Sequence, residues 1–304
     1  MGVMEGSVAL VTGGGRGIGR EVALSLASEG AKVVINDLGG DLGGEGGDLT
    51  PAESVAKEIR DAGGEAATNG DSVSDPEGAR RMVATAVDSF GRIDAVVNVA
   101  GILRDAYFHK MSDAEWRAVI DVHLHGTYLV SRAAMEHFRA QESGAFVHFT
   151  STSGLVGNVG QANYAAAKMG IVGLSRVIAM EGARFNVRSN CVAPFAWTRM
   201  IEAIPVTSDE MAESFAKFRE GATPAHVAPV VTYLCSTAAN KVTGNIFGVR
   251  GNEIYLMTQP RPVRTIHNGD GWTPAKLAQA FEPALRQDLY GLESTGEVYS
   301  WDPI

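Results

Sequence analysis

The chain has 304 residues and a mass of 32.1 kDa, with 45% hydrophobic residues, 20% charged residues and a mean hydropathy of zero. This composition is typical of a soluble globular protein, and no stretch approaches the roughly 18 uninterrupted apolar residues of a membrane-spanning helix. The 26 Lys and Arg against 35 Asp and Glu give a net charge of -9, which disfavours nucleic acids and anionic membranes as partners.

Short apolar runs alternate with helical patterns along most of the chain. The runs that predict strands are residues 7–11, 32–36, 65–69, 95–99, 145–150, 187–193 and 245–249. The patterns that predict helices are residues 18–27, 51–62, 75–90, 114–137, 163–183 and 227–236. Apolar strands separated by helices predict an α/β protein with a Rossmann-type, doubly wound parallel sheet of about seven strands.

Two segments depart from this alternation. A glycine-rich insertion occupies residues 39–47, and the tail after Gly251 is predicted to be too irregular to extend the sheet. Residues 1–250 are therefore predicted to form one dinucleotide-binding and catalytic domain, with residues 251–304 as a C-terminal extension.

The extension contains one clear helix signal. Thr273 is a predicted N-cap, Pro274 stands at the first helical position, and Pro283 is expected to end the helix. Two roles are open for the extension. It is either a structural brace on the same domain or on a neighbouring subunit, or a segment that closes over bound cofactor or substrate.

The chain contains 36 glycines, and one cluster of them lies between the first predicted strand and the first predicted helix. This run, TGGGRGIG at residues 12–19, lets the backbone turn sharply and approach a pyrophosphate. The free N–H groups and the dipole at the helix start favour the charge of the phosphates. The run therefore predicts a dinucleotide site, with Gly13, Arg16, Gly17 and Ile18 as cofactor-binding residues.

Asp37 follows at the end of the second predicted strand, eighteen residues after Gly19. A carboxylate there can accept hydrogen bonds from an adenosine ribose, whereas it would repel a 2′-phosphate, so NAD is the predicted cofactor. Arg16 is evidence in the other direction, because a guanidinium in the glycine loop could pair with a phosphate. The alternative for Asp37 is a turn residue before Gly39 and Gly40.

Four motifs, each at the expected element, resemble the short-chain dehydrogenase/reductase family. They are the TGGGRGIG run, Asp71-Ser72 after the third strand, Asn98-Val99-Ala100-Gly101 after the fourth, and Tyr164-Ala165-Ala166-Ala167-Lys168. The resemblance covers residues 5–250 or so. It implies that the cofactor is contacted by Asp71, Ser72, Val73, Asn98, Ala100 and Gly101. Val99 departs from the family, which usually has a second Asn there.

Ser151, Tyr164 and Lys168 form the candidate reactive set. Tyr164 and Lys168 are four residues apart on a predicted helix, so both side chains project from one face. The resemblance implies that Tyr164 is the general acid and base, that Ser151 binds the substrate oxygen, and that Lys168 holds the nicotinamide ribose. For this role the pKa of the phenol must fall from near 10 to about 7–8, with the Lys168 ammonium and the oxidised nicotinamide supplying the positive charge. Ser153 is the alternative serine, and a plain surface pair is the alternative for Tyr164 and Lys168.

Other positions near this set differ from the family pattern. His123 stands where the family commonly has an Asn that supports a proton relay through water. An imidazole can also bridge water and a carbonyl, and a packed helix histidine is the alternative. Pro194 and Thr198 match cofactor-binding positions, and Phe195 replaces the usual Gly and is expected to narrow the nicotinamide pocket. Residues 199–218 correspond to the variable substrate loop.

Three runs and the tail resemble one branch of the family. This branch is the (3R)-hydroxyacyl-CoA dehydrogenase part of the peroxisomal multifunctional enzymes type 2, also called 17β-hydroxysteroid dehydrogenase type 4. The runs are NDLGG at 36–40, DVHL at 121–124 and GNVGQANY at 157–164. The resemblance implies NAD-dependent oxidation of a 3-hydroxyacyl-CoA by a homodimer or homotetramer.

Alternative functions stay open. A steroid or alicyclic alcohol is the second substrate class, and an NADPH-dependent 3-oxoacyl carrier-protein reductase is disfavoured by Asp37. A nucleotide-sensing binding protein is the non-enzymatic alternative, which the presence of Ser151, Tyr164 and Lys168 together opposes.

Cysteine usage and the chain ends bear on the compartment. Cys191 and Cys235 lie in apolar runs and are predicted to be small buried residues rather than a disulfide framework. Residues 1–10 lack the pattern of a leader peptide and residues 301–304 are not a peroxisomal address, which predicts a cytoplasmic, free-standing enzyme. No metal site is predicted.

Overall fold

The computed structural model describes residues 2–41, 43–202, 206 and 208–303. Its strands are β1 (Val8–Thr12), β2 (Lys32–Asn36), β3 (Ala66–Asn69), β4 (Ala95–Asn98), β5 (Gly144–Phe149), β6 (Val187–Phe195), β7 (Ile246–Arg250) and β8 (Glu253–Leu256). They form one sheet in the order β3-β2-β1-β4-β5-β6-β7-β8, in which β1 to β7 are parallel. The predicted doubly wound α/β fold is confirmed. The strand order reverses between β1 and β4, where ligands of such sheets bind beyond the carboxyl ends of the strands.

Helices connect the strands. They are α1 (Gly17–Ser28), α2 (Thr50–Asp61), α3 (Pro76–Phe90), α4 (Asp113–Ile120), α5 (Gly126–Gln141), α6 (Thr152–Leu155), α7 (Ala162–Gly182), α8 (Arg199–Glu202), α9 (Asp209–Gly221), α10 (Ala228–Cys235), α11 (Pro274–Leu285) and α12 (Thr295–Val298). The predicted substrate loop contains α8 and α9, and its residues 203–205 and 207 lie outside the described residues.

The core has one layer on each face of the sheet. Successive side chains of a strand point to opposite faces, so Ala9 and Val11 of β1 pack in one apolar cluster and Val8 and Leu10 in the other. Both clusters are covered by helices, which explains the largely apolar runs of β1, β2 and β4. The loops that follow the strands are left to carry polar chemistry. Cys191 and Cys235 are buried and unpaired, as predicted.

The prediction that the tail does not extend the sheet is wrong. The strand β8 pairs with β7 in antiparallel register, with Gly248 opposite Tyr255. The reversal uses a two-residue turn that begins at Gly251, whose φ of 56° lies in the region that favours glycine. The strand was missed because it has only four residues and exposes Ile254 and Leu256, so it shows no buried apolar run.

Two predicted helices also differ in detail. The helix predicted at 114–137 consists of α4 and α5 joined by a π-helical segment at Asp121–His125. Such segments often mark functional sites, because they shift the side chains that follow. In the extension, Thr273 caps α11 as predicted, but the helix runs through Pro283 to Leu285. Since α11 contains no buried residue, water can satisfy the carbonyl group that Pro283 leaves without a partner.

The extension leaves the body of the protein and then returns to it. No residue between 258 and 293 is buried. Beyond this arm, the Thr295 N–H donates to the Gly157 carbonyl at 3.2 Å, and the Tyr299 ring packs edge-on against Phe195 at 4.7 Å. The last residues of the extension therefore pack on their own chain. Among the described residues, no helix has both the length and the apolar character needed to cross a membrane.

Candidate active site

A cavity of about 650 Å³ lies at the carboxyl ends of the strands. Its wall includes nearly all of the predicted site residues: Gly13, Arg16, Gly17, Ile18, Asp37, Asp71, Ser72, Val73, Ala100, Gly101, His123, Ser151, Tyr164, Lys168, Pro194 and Thr198. Ser153, the alternative serine, also lines it. The predicted residues among them are up to 185 positions apart in the chain and meet in one site, because parallel strands deliver their following loops to the same edge.

The glycine loop is tightly folded at one end of this cavity. Gly13 and Gly17 have φ values of 65° and 52°, in the region that favours glycine. A Cβ atom on Gly19 would lie 2.0 Å from the Gly13 carbonyl oxygen, whereas at Gly17 it would meet only Thr198, at 4.0 Å. The loop therefore packs closely on its own side and leaves room on the cavity side, which fits the diphosphate of a dinucleotide.

Asp37 both lines the cavity and holds the glycine loop. Its Oδ2 accepts a hydrogen bond from the Gly15 N–H at 2.8 Å, and its Oδ1 accepts one from the Gly39 N–H at 2.7 Å. Both the ribose role and the turn role predicted for Asp37 are compatible with these contacts. The Arg16 guanidinium donates to the Gly40 carbonyl at 3.1 Å, so it is engaged with the insertion.

Two further predicted cofactor residues are held by polar networks. Arg81 donates to Asp71 Oδ1 at 3.0 Å through Nε, and this hydrogen bond is the main reason that the pKa of Asp71 is lowered. Asn98 does not line the cavity. It is buried beneath it, where its amide nitrogen donates to Ser131 Oγ at 3.2 Å and lies 3.1 Å from His148 Nδ1.

The predicted reactive set occupies the other end of the cavity. The helix α7 carries Tyr164 and Lys168 on one face, and Lys168 Nζ lies 5.3 Å from the centre of the Tyr164 ring. Lys168 Nζ donates to the Phe149 carbonyl at 2.7 Å. Ser151 caps α6 at the end of β5; its Oγ donates to Ser153 Oγ at 3.2 Å and lies close enough to the Tyr164 phenol to affect its pKa. The three side chains can therefore act on one bound carbinol.

Burial changes the acid–base properties of this set. It raises the pKa of Tyr164 to about 12, against the lowering effect of the Ser151 hydrogen bond, and the charge of Asp105 raises it further. Burial also lowers the pKa of Lys168 to about 7. The protein alone therefore keeps the phenol neutral near pH 7.

His123 lies in the π-helical segment and contacts the reactive set. Its ring meets Tyr164 edge-on at 5.1 Å, and its Nε2 lies 2.8 Å from the Ile102 carbonyl oxygen. Its Nδ1 is buried without a hydrogen-bond partner among the described atoms. Burial lowers the pKa of His123 to about 3, so the imidazole is neutral. A Cβ on Gly101 would lie 2.3 Å from the ring, which explains the glycine at that position.

Phe195 lines the cavity, and its ring is also fixed by the extension. Tyr299 of the extension packs against it, and the Arg250 guanidinium of β7 lies 6.0 Å from the centre of its ring. The side chain that replaces the usual glycine thus serves partly as an anchor for the returning tail.

Comparison with known proteins identifies the family. The family model described as short chain dehydrogenase matches residues 7–205. The chain belongs to the short-chain dehydrogenase family. It is accordingly a Rossmann-fold oxidoreductase that acts on CH–OH groups with a nicotinamide cofactor.

Similar proteins support this assignment. A protein of Mycobacterium tuberculosis named as a short-chain type dehydrogenase/reductase is 52% identical over 77% of this dehydrogenase and 78% of its own length. The mouse peroxisomal multifunctional enzyme type 2 is 45% identical over 81% of this chain, which confirms the branch resemblance, but the match spans only 32% of that enzyme. The crystal structure of a short chain dehydrogenase from Mycobacterium avium has a TM-score of 0.84 and 37% identity, and the match covers 97% of this chain and 100% of that one.

Several cavity residues of this dehydrogenase were not predicted. Asp105, Asn158, Gln161 and Thr295 all line the wall. Asn158 and Gln161 stand in the run that resembles the branch, which is the only signal that could have pointed to them. Asp105 and Thr295 carry no local signal, because their positions depend on how distant loops pack.

The glycine-rich insertion also lines the cavity, through Gly40, Asp41 and Gly44. It is held by Arg104, whose Nη2 donates to the Gly43 carbonyl at 2.7 Å. The insertion is therefore part of the site.

The buried His148, beneath the site, is expected to make the folded protein less stable in acid. It is fully buried, and burial lowers its pKa to about 3. An unfolded histidine titrates near pH 6.5, so the unfolded chain binds more protons as the pH falls from about 6.5 towards 3. We expect the free energy of unfolding to decrease by about 2 kcal/mol per such histidine between pH 7 and pH 5, as measured by urea denaturation.

The variant His148→Gln, which keeps a polar partner for Asn98, should show a smaller difference between the two pH values than the wild type. His267→Gln, at an exposed site in the extension, is the matched control and should behave as the wild type. An unchanged pH dependence in His148→Gln would contradict the role assigned to His148.

Proposed function

We propose that the chain is an NAD-dependent dehydrogenase that converts the secondary alcohol of a 3-hydroxyacyl-CoA into a ketone. The observation that carries the proposal is the one cavity in which the glycine loop meets Ser151, Tyr164 and Lys168. The loop suits a dinucleotide, and the three side chains suit proton transfer at a carbinol. The similarity to the multifunctional enzymes type 2 supports the acyl-CoA substrate class.

Asp37 supports NAD rather than NADP. Each of its carboxylate oxygens accepts one backbone N–H, from Gly15 or Gly39, and keeps further lone pairs for the hydroxyls of a ribose. A 2′-phosphate at this place would face a carboxylate that its two hydrogen bonds hold in position. Arg16, which could otherwise favour a phosphate, donates to the Gly40 carbonyl.

Proton transfer is assigned to Tyr164. When bound, the oxidised cofactor supplies the hydride acceptor and a positive charge beside the phenol. Tyr164 accepts the hydroxyl proton of the alcohol and returns it in the reverse reaction, while Ser151 donates a hydrogen bond to the substrate oxygen. Lys168 adds positive charge in the fraction of molecules in which it is protonated, and burial sets its pKa at about 7.

His123 is assigned a relay role in place of the usual Asn. Because burial lowers its pKa to about 3, it does not retain an extra proton at neutral pH. A neutral imidazole can still accept a proton on one nitrogen and release one from the other. Its edge-on contact with Tyr164 and its hydrogen bond to Ile102 fix the orientation that such a transfer requires.

The proposal includes a homodimer or homotetramer. Exposed apolar side chains on α7 and α11, among them Val177, Met180 and Phe281, support burial against further copies of the chain. The division into a domain of residues 1–250 and an extension, and the cytoplasmic location, stay predictions from the sequence.

An NAD-reduction assay tests the proposal. The substrates are 3-hydroxyacyl-CoA thioesters from short to long chain length, together with steroid and alicyclic alcohols, each with NAD and with NADP. We expect kcat/KM to be highest for a thioester with NAD. With NADP it should be lower by about 100-fold or more, because the Asp37 carboxylate repels the 2′-phosphate. A preference for NADP, or turnover of steroid alcohols alone, would contradict it.

A further inference from the structure

A carboxylate that the proposed mechanism does not use stands on the wall of the cavity. Asp105 lies in the loop after β4 and lines the cavity together with Tyr164, Ser153 and Gln161. Its charge raises the pKa of Tyr164, so it acts at the catalytic end of the cavity rather than at the cofactor end.

The position of Asp105 is set by contacts on both sides of it. The Ala106 N–H donates to the Gly160 carbonyl at 2.9 Å, and Asn163 donates from its amide nitrogen to the Arg104 carbonyl at 2.9 Å. The side chain is held as well, because Gln161 Nε2 donates to Asp105 Oδ2 at 2.8 Å. The carboxylate is thus tied to the segment that leads into α7 and Tyr164.

No cationic side chain neutralises Asp105 within the described part of the chain. The guanidinium of its neighbour Arg104 is turned to the Gly43 carbonyl and to Glu45. The Lys168 ammonium donates to the Phe149 carbonyl. Oδ1 of Asp105 and the side-chain oxygen Oε1 of Gln161 are both hydrogen-bond acceptors. This part of the cavity wall therefore attracts hydrogen-bond donors, and the carboxylate charge repels anions.

We propose that Asp105, held by Gln161, is a specificity-determining residue that admits alcohols that are uncharged near the carbinol and excludes 3-hydroxy carboxylate anions. This inference rests on the proposed function and narrows it. A 3-hydroxy acid carries its negative charge two carbons from the carbinol, whereas the thioester of the same acid is neutral there. Asp105 therefore makes a neutral derivative of the carboxyl group, such as a thioester, a condition for turnover.

Asp105→Asn tests the inference. The variant keeps the size of the side chain and an oxygen that can accept from Gln161, and it removes only the charge. The measurement is kcat/KM with NAD for the methyl ester and for the free acid of one alcohol, 3-hydroxybutanoate. In the wild type the ester should be strongly preferred. In Asp105→Asn, kcat/KM for the acid should increase about tenfold, equivalent to about 1.4 kcal/mol, with a much smaller change for the ester.

Asp113→Asn is the matched control. It removes the same charge from the start of α4, outside the cavity, and the ratio of ester to acid should not change. If Asp105→Asn lowered kcat/KM for the ester and for the acid by the same factor, the ratio of ester to acid would be unchanged. That result would overturn the inference. Equal turnover of ester and acid by the wild type would also overturn it.

The role of Asp105 can be tested separately from the acyl-CoA assignment. If only alicyclic alcohols are oxidised, the pair becomes 3-hydroxycyclohexanecarboxylate and its methyl ester. A ratio that responds to Asp105→Asn on this pair would then support the role of Asp105 while the acyl-CoA assignment fails. An unresponsive ratio with confirmed 3-hydroxyacyl-CoA turnover would overturn the role of Asp105 alone.

Discussion

Replacement of Tyr164 by Phe is expected to lower kcat by about 10²–10⁴-fold, the usual contribution of a positioned general acid or base. Phe keeps the ring that packs against His123 and lies beside Lys168, so the fold and the cofactor site should be retained. Steady-state turnover measures the loss, and fluorescence titration with NADH measures cofactor binding, which should change little. The expected result is an enzyme that binds cofactor but does not transfer the proton.

Tyr290→Phe is the control for this experiment, because Tyr290 is 88% exposed in the arm of the extension and lies outside the cavity. It should keep wild-type turnover. If Tyr164→Phe turned over substrate at a rate near that of the wild type, Tyr164 would not be the general acid and base, whatever the substrate proved to be.

Replacement of Gly19 by Ala is expected to weaken cofactor binding by about 10–100-fold or more. The added Cβ would lie 2.0 Å from the Gly13 carbonyl oxygen, so the loop must move, and overpacking of this kind typically costs about 1–3 kcal/mol. The moved loop no longer presents its N–H groups to the diphosphate. The dissociation constant for NADH, measured by fluorescence, gives the effect, and circular dichroism shows whether the variant is folded.

Gly269→Ala is the matched control, because a Cβ there, in the arm of the extension, would meet no atom within 4 Å and the backbone is outside the region that favours glycine. This exposed position lies outside the cavity, so the variant should bind cofactor normally. A wild-type dissociation constant in Gly19→Ala would show that the close packing of the loop is not required.

Features that depend on neighbouring residues were predicted well. The seven parallel strands, most helices and the glycine loop follow from apolar periodicity and turn residues within short windows. The spacing of Tyr164 and Lys168 on one helix face is equally local. Their roles come from the family resemblance and stay a proposal.

Features that leave no distinct local pattern in the sequence were predicted poorly. The strand β8 exposes two of its apolar residues, and the π-helical segment that carries His123 lies within a continuous helical pattern. Asn98 was expected to contact the cofactor, and the structure shows only that it is buried, bonded to Ser131 and near His148. Nothing in the local pattern of these residues distinguishes the two outcomes.

The sequence by itself determined the fold class, the family and the positions of the glycine loop and the Tyr164–Lys168 pair, because each is encoded by residues close together in the chain. Only the tertiary structure decided that Asp105 and Thr295 face the cavity, that Asp37 is tied to the glycine loop, and that the extension returns to its own chain. Those placements depend on hydrogen bonds and packing between segments far apart in sequence. Such contacts exist only once the sheet has brought the loops to one edge.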